Sequence, residues 1–440
     1  MNKIIIVLLI VFSSQLFAQS GIKFLEFAKR IEPYFNESMI ADIKNQLPQN
    51  EDYFIWGYDV GDFSGDPYYD IAVTLRIAGD RSKNMQVYLF ADIDGFLKQV
   101  HQESIEFIEL PLEVGVAIRQ GACYVTKKQK QYNWDIYGYR YQNGNLIQKD
   151  EFYTRKLKDL TYEKYRNYDN LKASEKYINL KSNKSNFERD FSIIPSYSRG
   201  RRIYSGYADG IKVDNVDYIY DGAYWWKGAE DCSYYLTSVY DNEYLYFTAE
   251  VNDDYIVVQN CDTCIADHIT LAIDINQYDT SDRFADKSED KVKFRKSITN
   301  GLYMFDIYPG DFIKTLPYCK VSTTDSLSNE QKYESKDIKV IADYNDSKYI
   351  VKFKIPFNLF GNKLTITKNN GLELGATIMV TDYDNEFRPE EYSILSTSNF
   401  KIGDSSTLGI LKIIPEKHWY GHSTNIFIDD VVKNLLINGF

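Results

Sequence analysis

The chain opens on an unbroken apolar run, Ile4 to Phe12, behind Lys3 and ahead of the polar break Ser13-Ser14-Gln15. A positive start, a short apolar segment and the small residue Ala18 make residues 1–18 a secretory signal peptide, cleaved before Gln19. The run is shorter than the ~20 apolar residues that span a bilayer, and no later stretch is apolar for that long. The mature chain is therefore expected to be periplasmic or extracellular, without a transmembrane segment. Beyond the cleavage point Phe24, Leu25, Phe27, Ala28, Ile31, Phe35, Met39, Ile40 and Ile43 recur at helical spacing, and Pro33 divides them into two short helices. After Pro48 the pattern changes to alternation, which predicts strands over 53–58, 71–77, 85–90, 106–110, 115–126 and 134–141. Asn143-Gly144 marks a hairpin turn.

These elements predict a β-rich domain over 19–155, preceded by its short helices. The segment 156–192, rich in Lys, Tyr and Asn, keeps no clean period and reads as a linker with a helix across 162–176. Alternation returns over 193–415, with strands at 233–239, 244–251, 268–275, 302–307, 349–355 and 376–381, a number and spacing that fit an antiparallel β-sandwich. The last segment, 416–440, carries Ile426 to Ile428, Val431, Val432 and Leu435 to Ile437, enough apolar surface to pack back onto a domain. The fold class is all-β. Thirty-eight Tyr and 25 Phe against five Met support it, because flat rings pack well on pleated surfaces.

The net charge of −12 excludes a nucleic-acid partner, which needs a basic stripe. The 63 carboxylates open a second reading, in which some hold calcium, a hard cation suited to oxygen ligands. Five cysteines in an exported chain leave one unpaired. Cys261 and Cys264 are the only close pair, and the expected bond joins them to each other or one of them to Cys232 or Cys319.

The sharpest local motif runs from Gly61 to Val73, where Asp62, Ser64, Asp66 and Asp70 take the first, third, fifth and ninth places of a loop leading into a strand. Alternate side chains of a tight loop converge, so this spacing wraps a chain around a calcium ion. The segment resembles a single FG-GAP or VCBS-type repeat, with Ser64 at the usual Asn and Pro67 at the usual Gly. The resemblance implies a β-meander with an ion-braced turn and no catalytic role.

A second resemblance covers the later domain. Asp221 to Trp226, then Asp241 to Phe247, Asp267 to Asp274, Tyr349 to Phe357, Leu374-Gly375-Ala376, Asp382 to Asn385 and Leu408-Gly409 follow the order of landmarks in family 9 carbohydrate-binding modules. Thr270 and Lys352 stand where that family often has Glu. The resemblance implies a β-sandwich that binds a polysaccharide or oligosaccharide. Exposed aromatic rings cover the C–H faces of a pyranose while polar groups meet its hydroxyls. Trp225 and Trp226, on a strand, would face opposite sides, one as platform and one as core. Tyr383, with Asp382, Asp384, Asn385 and Arg388, forms a loop that completes a cleft or holds an ion. Trp56 and Trp134 fall in strand patterns and read as core.

No G-x-S-x-G, H-E-x-x-H or phosphate loop is present. The expected function is that of an exported, non-catalytic glycan-binding protein. Two alternatives stay open: an envelope protein using the same sandwich without sugar, and a carbohydrate-active enzyme whose carboxylate pair the sequence does not mark.

Overall fold

The computed structural model describes residues 21–49, 52–77, 85–105, 112–129, 133–157, 159–199, 210–258, 265–275, 285–286, 293–294, 301–323, 338–345, 348–364, 372–401 and 407–414. The signal peptide, the strand expected at 106–110, Cys261, Cys264 and the tail 416–440 lie outside these residues. Among the described residues no helix is long and apolar enough to cross a membrane. The chain divides at Asp150/Glu151 into two compact units.

In the first unit the two expected helices are α1, Phe24–Ile31, and α2, Glu37–Gln46. Asn36 caps α2 by accepting a hydrogen bond from the Met39 amide at 3.0 Å. Four antiparallel strands follow as a meander: β1 Tyr53–Gly61, β2 Asp70–Ile77, β3 Met85–Ile93 and β4 Phe96–Ile105. Residues of β2 alternate between two cores. Ile71, Val73 and Leu75 pack with Phe27, Ile31 and Ile43 of the helices. Ala72 turns the other way, into a cluster with Val114 and Ile118 of β5 (Leu112–Arg119) and Cys123 and Val125 of β6 (Ala122–Gln129). Gln46 ties α2 to β4: its amide donates to the Leu97 carbonyl at 2.7 Å and accepts from the Gln99 amide at 2.8 Å.

The single strand expected over 115–126 is a hairpin, since Gln120 and Gly121 both take positive φ (52° and 69°) and turn the chain between β5 and β6. The hairpin at Asn143-Gly144 forms as expected between β7, Asn133–Gln142, and β8, Asn145–Leu157, with φ of 51° and 78°. Trp56 and Trp134 are half-buried rather than fully core; Arg76 lies over the first ring and Lys128 over the second.

The segment expected to be a linker is strand. β9 Leu160–Asn167 and β10 Lys172–Asn179 pair with each other, and β10 pairs with β11, Ser185–Ser198. The helix expected at 162–176 is this hairpin. The alternation was disguised because β9 buries Lys164 and Arg166 on the same face as Tyr162, and β10 buries Glu175. These charges are paired. The Arg166 guanidinium grips both oxygens of Glu373, Lys164 binds Glu151 at 2.6 Å, and Lys412 reaches the Tyr168 hydroxyl at 2.5 Å. Arg189 binds Glu175 at 2.7 Å and donates to the Leu408 carbonyl.

The rest of the second unit is a sandwich. One half runs in the order β21 Lys339–Asn345, β22 Lys348–Pro356, β15 Tyr244–Asp253, β14 Cys232–Tyr240, all antiparallel. The other runs β20 Tyr318–Thr323, β19 Leu302–Tyr308, β16 His268–Asp274, β23 Leu372–Tyr383. β23 then pairs with β25, Gly409–Ile414, along its first half and with β24, Tyr392–Ser396, along its second. β11 joins the halves by pairing in parallel with both β25 and β14. Short strands β12, Ile211–Val213, and β13, Ile219–Asp221, add to β14 and β24, and β17 (Ala285–Asp286) pairs with β18 (Lys293–Phe294) apart from the rest. Leu245, Phe247, Val251 and Phe353 meet Ile269, Leu271, Phe305 and Ile378 in one core. The Tyr234 hydroxyl crosses it to the Ile378 carbonyl at 3.1 Å.

Burial alone would push the Glu373 carboxyl up, but Arg166 and Lys412 more than offset it and leave the group at about 2. A folded pKa below the unfolded value stabilises the fold above the unfolded pKa, and the contribution is lost as pH falls toward the folded one. Glu373→Gln is expected to cost roughly 3 kcal/mol at pH 7, because Arg166 stays buried without its counter-charge. The variant should also lose less stability than the wild type between about pH 4.5 and pH 2. Urea unfolding across that range checks both.

Candidate functional site

Among the described residues, the most exposed aromatic side chain of the second unit, Tyr224, lies on the turn after β13. Gly222 starts it with a φ of 72°, and a Cβ there would lie 2.0 Å from the Tyr392 carbonyl, so only glycine fits. The Gly222 carbonyl accepts from the Trp225 and Trp226 amides at 2.8 and 3.3 Å, winding the next residues into a tight turn. The two tryptophans therefore sit on a turn and not, as expected, on a strand. Their roles divide all the same. Trp226 packs on the sandwich core and its indole N–H donates to the Cys232 carbonyl at 2.8 Å. Trp225 is half-buried and meets Tyr224 edge to face at 5.0 Å, and Tyr224 itself is 87% exposed.

Beside this turn lies a groove of about 600 Å³, walled by Val216, Ile219, Tyr220, Ala223 and Trp226 and edged by Asp221 and Lys227. The β23–β24 loop, which carries Tyr383, Asp384, Asn385 and Arg388, is tied to the same turn. The Lys227 ammonium binds Asp384 at 2.8 Å and Asp231 at 3.4 Å, and the Tyr392 hydroxyl donates to Asp221 at 2.7 Å. The hydrogen bond to Asp384 and the charge of Asp231 hold that ammonium well above the ordinary lysine range. Within the loop Glu391 accepts from Asn385 at 3.3 Å and pairs with Arg388 at 2.7 Å. Tyr383 is half-buried against Tyr392, while Phe387 is 83% exposed. The Lys227–Asp384 and Tyr392–Asp221 contacts tie the β23–β24 loop to the turn that carries Trp225 and Trp226. The structure adds Asp221, Tyr224, Lys227 and Tyr392, and the Asp221-Gly222 dipeptide was a turn signal that set Tyr224 outward.

Beneath this loop three carboxylates, Asp253, Asp267 and Asp382, place oxygens within 4.8 Å of one another. Asp253 ends the inward row Leu245, Phe247, Ala249, Val251 of β15, and Asp382 ends the inward row Ile378, Val380 of β23. Asp267 accepts from the Tyr383 amide at 2.8 Å and the Val257 amide at 2.6 Å. The Tyr255 amide donates to Asp253 at 2.9 Å, and the Ser393 hydroxyl to Asp382 at 3.2 Å. Burial, then Asp253, Asp231 and Asp384, pushes Asp382 up to about 9, and burial also raises Asp253 and Asp267.

The turn 62–70 of the first unit is organised differently. Asp70 is fully buried, and its carboxylate accepts from the Phe63, Ser64 and Asp92 amides at 2.7, 2.8 and 2.9 Å and from the Ser64 hydroxyl at 3.2 Å. Those donors fill the four lone-pair directions of a carboxylate. Asp62 and Asp66 accept from the Gly65 and Tyr68 amides at 2.7 and 2.8 Å. The four residues share one turn, and Asp70 ties it to β2 through backbone amides. Among the disulfide candidates, Cys232 and Cys319 are free and buried, as is Cys123. The bonds expected at Cys232 or Cys319 do not form, because each thiol lies inside the sandwich core.

No family model matches the chain, and no curated protein matches it in sequence. Among solved structures it is similar to a family 9 carbohydrate-binding module from Caldicellulosiruptor kristjanssonii in complex with glucose, at 15% identity over 51% of this chain and 96% of that one, with a TM-score of 0.32. The same module in complex with cellotriose gives 14% identity over 51% and 94%, again with a TM-score of 0.32.

Trp226→Ala is expected to destabilise the second unit by roughly 2–3 kcal/mol, through lost packing and an unpartnered Cys232 carbonyl, whereas Trp225→Ala should cost less than about 1 kcal/mol. Asp70→Ala, which strands four donors, should cost roughly 3 kcal/mol. Urea unfolding of the full chain, monitored by tryptophan fluorescence and circular dichroism, checks all three.

Proposed function

We propose that the protein is exported and acts without catalysis as a glycan-binding protein, its ligand held at the Gly222–Lys227 turn. The observation that carries this reading is the aromatic pair Tyr224 and Trp225, displayed beside a groove whose edge bears Asp221 and Lys227. Such rings match the flat C–H face of a pyranose, and the carboxylate and ammonium suit its equatorial hydroxyls. Rigidity supports the same reading. Gly222 fixes the turn from below, and Lys227 and Asp221 clamp it to the β23–β24 loop, so little ordering remains to be done on binding. Asp231 and Asp384 are both engaged by Lys227 rather than facing each other across open space, which favours binding over glycoside hydrolysis.

The test is a glycan array on the mature chain, followed by calorimetric titration of the best ligand. Tyr224→Ala and Trp225→Ala should each weaken binding by roughly 30-fold while leaving the melting temperature within about 2 °C. A folded protein that binds nothing on the array, or variants that bind as well as the wild type, would sink the proposal.

A further inference from the structure

The groove beside the Gly222–Lys227 turn has a charge that the proposed function leaves unused. Two stretches build its surroundings: 214–231, which holds the groove wall and the turn, and 383–392, the β23–β24 loop. Together they carry two cations, Lys227 and Arg388, against nine carboxylates. The whole chain, at 51 basic to 63 acidic residues, is far closer to balance. Both cations are also committed. Lys227 is held between Asp384 and Asp231, and Arg388 by Glu391. A carboxylate, sulfate or phosphate on a ligand would therefore meet a negative field with its counter-charges already taken.

One carboxylate of the groove is presented for contact. Asp221 is exposed on the groove edge, and its oxygens accept from the Tyr392 hydroxyl at 2.7 Å and the Gly222 amide at 2.8 Å. These two bonds hold the group in place and leave half of its lone-pair directions open. Among the described residues no lysine or arginine pairs with it, nor with Asp217, exposed beside the wall residue Val216. The ring of Tyr220, 39% exposed, lines the groove next to Asp221. A fixed carboxylate beside an open aromatic face is an arrangement that attracts an ammonium group from both sides, through a charge-assisted hydrogen bond and through the ring quadrupole.

From this juxtaposition we infer that the groove selects glycans built from amino sugars with free amino groups, the ammonium meeting Asp221 and Tyr220 while the pyranose ring lies on Tyr224 or Trp225. The inference rests on the glycan-binding reading and adds the chemical class of the ligand. The aromatic rings and the groove locate the sugar, and the acidic rim decides its charge. Neutral sugars keep the stacking and lose the ion pair, and uronic or sulfated sugars are repelled.

The experiment is calorimetric titration of the full mature chain with three probes: a β-1,4-linked trimer of glucosamine, its N-acetylated form, and an oligouronate of the same length. At about pH 6, below the ~7.7–8.0 of an α-amino group, the amine of the first probe carries its charge. The glucosamine trimer should bind at least about 10-fold tighter than the N-acetylated one, and the oligouronate should give no heat. The preference should shrink in 0.5 M salt, which screens charge and leaves stacking. Asp221→Asn should lower it to about 2-fold or less. Asp217→Asn, at an exposed position, should lower it by about half and serves as the test if Asp221→Asn fails to fold. Equal affinity for the charged and acetylated trimers would overturn the inference, as would a preference that both variants retain, or trilysine binding as tightly as the glucosamine trimer, which would mean that charge alone is read. Binding of a neutral or acidic glycan that is lost in Tyr224→Ala would leave the proposed function standing and sink only this inference, whereas failure to bind any glycan removes both.

Discussion

A carboxylate taken out of water has to be neutralised, and the second unit meets this requirement in two ways that decide its architecture. Where β9 and β10 lie against the sandwich, protein cations do it: Arg166 grips Glu373, Lys164 binds Glu151, and Arg189 binds Glu175. The first of these joins residues 207 positions apart, so that charge pair specifies which strand lies where as well as stabilising it, while the other two fasten neighbouring strands. At the other site, the ends of β15, β16 and β23, the carboxylates converge without a protein cation, and their neutralisation falls to protons or to an ion.

This constraint also explains what the sequence concealed. Strands with apolar inward rows, such as Leu245, Phe247, Ala249 and Val251, were legible from alternation, as was the turn at Asn143-Gly144. The 156–192 segment was not, because its inward positions include Lys164, Arg166 and Glu175, residues that ordinarily mark a solvated face. The same disguise hid the burial of Asp253 and Asp267, whereas Asp382 was legible with the loop it opens. Asp253 and Asp382 continue the parity of the rows they end, and that parity alone, without any motif, said they point inward. The cysteines misled in the opposite sense: Cys232 and Cys319 behave as small apolar residues of a core, which composition cannot separate from half-cystines.

The aromatic site was legible in its residues but not in its geometry. Trp225 and Trp226 were assigned to a strand, where adjacency would force them to opposite faces. The turn at Gly222 separates them instead by giving Trp226 a carbonyl to bind and leaving Trp225 beside Tyr224. The Asp62 to Asp70 motif is the converse case. The Ser64 hydroxyl links Asp62 and Asp70, but Asp66 binds the Tyr68 amide instead, and Asp70 is bound by amides from its own loop and from β3, so the turn is braced by the backbone.

The parallel pairing of β11 with β25 has a consequence for the order of assembly. β11 lies between the two halves of the sandwich, and its partner on one side comes from the far end of the unit. The flanking ties are equally distant, with Arg166 and Glu373 separated by 207 residues and Arg189 and Leu408 by 219. Contacts of such long range form late, because closing the loop costs entropy before any contact is gained. During synthesis the first unit can complete its meander while the second is still growing, and the sandwich halves can join only after residues 409–414 have emerged. Until then one flank of β11 presents bare amides and carbonyls, the feature that strand-capturing chaperones read and that makes an incomplete chain prone to self-association.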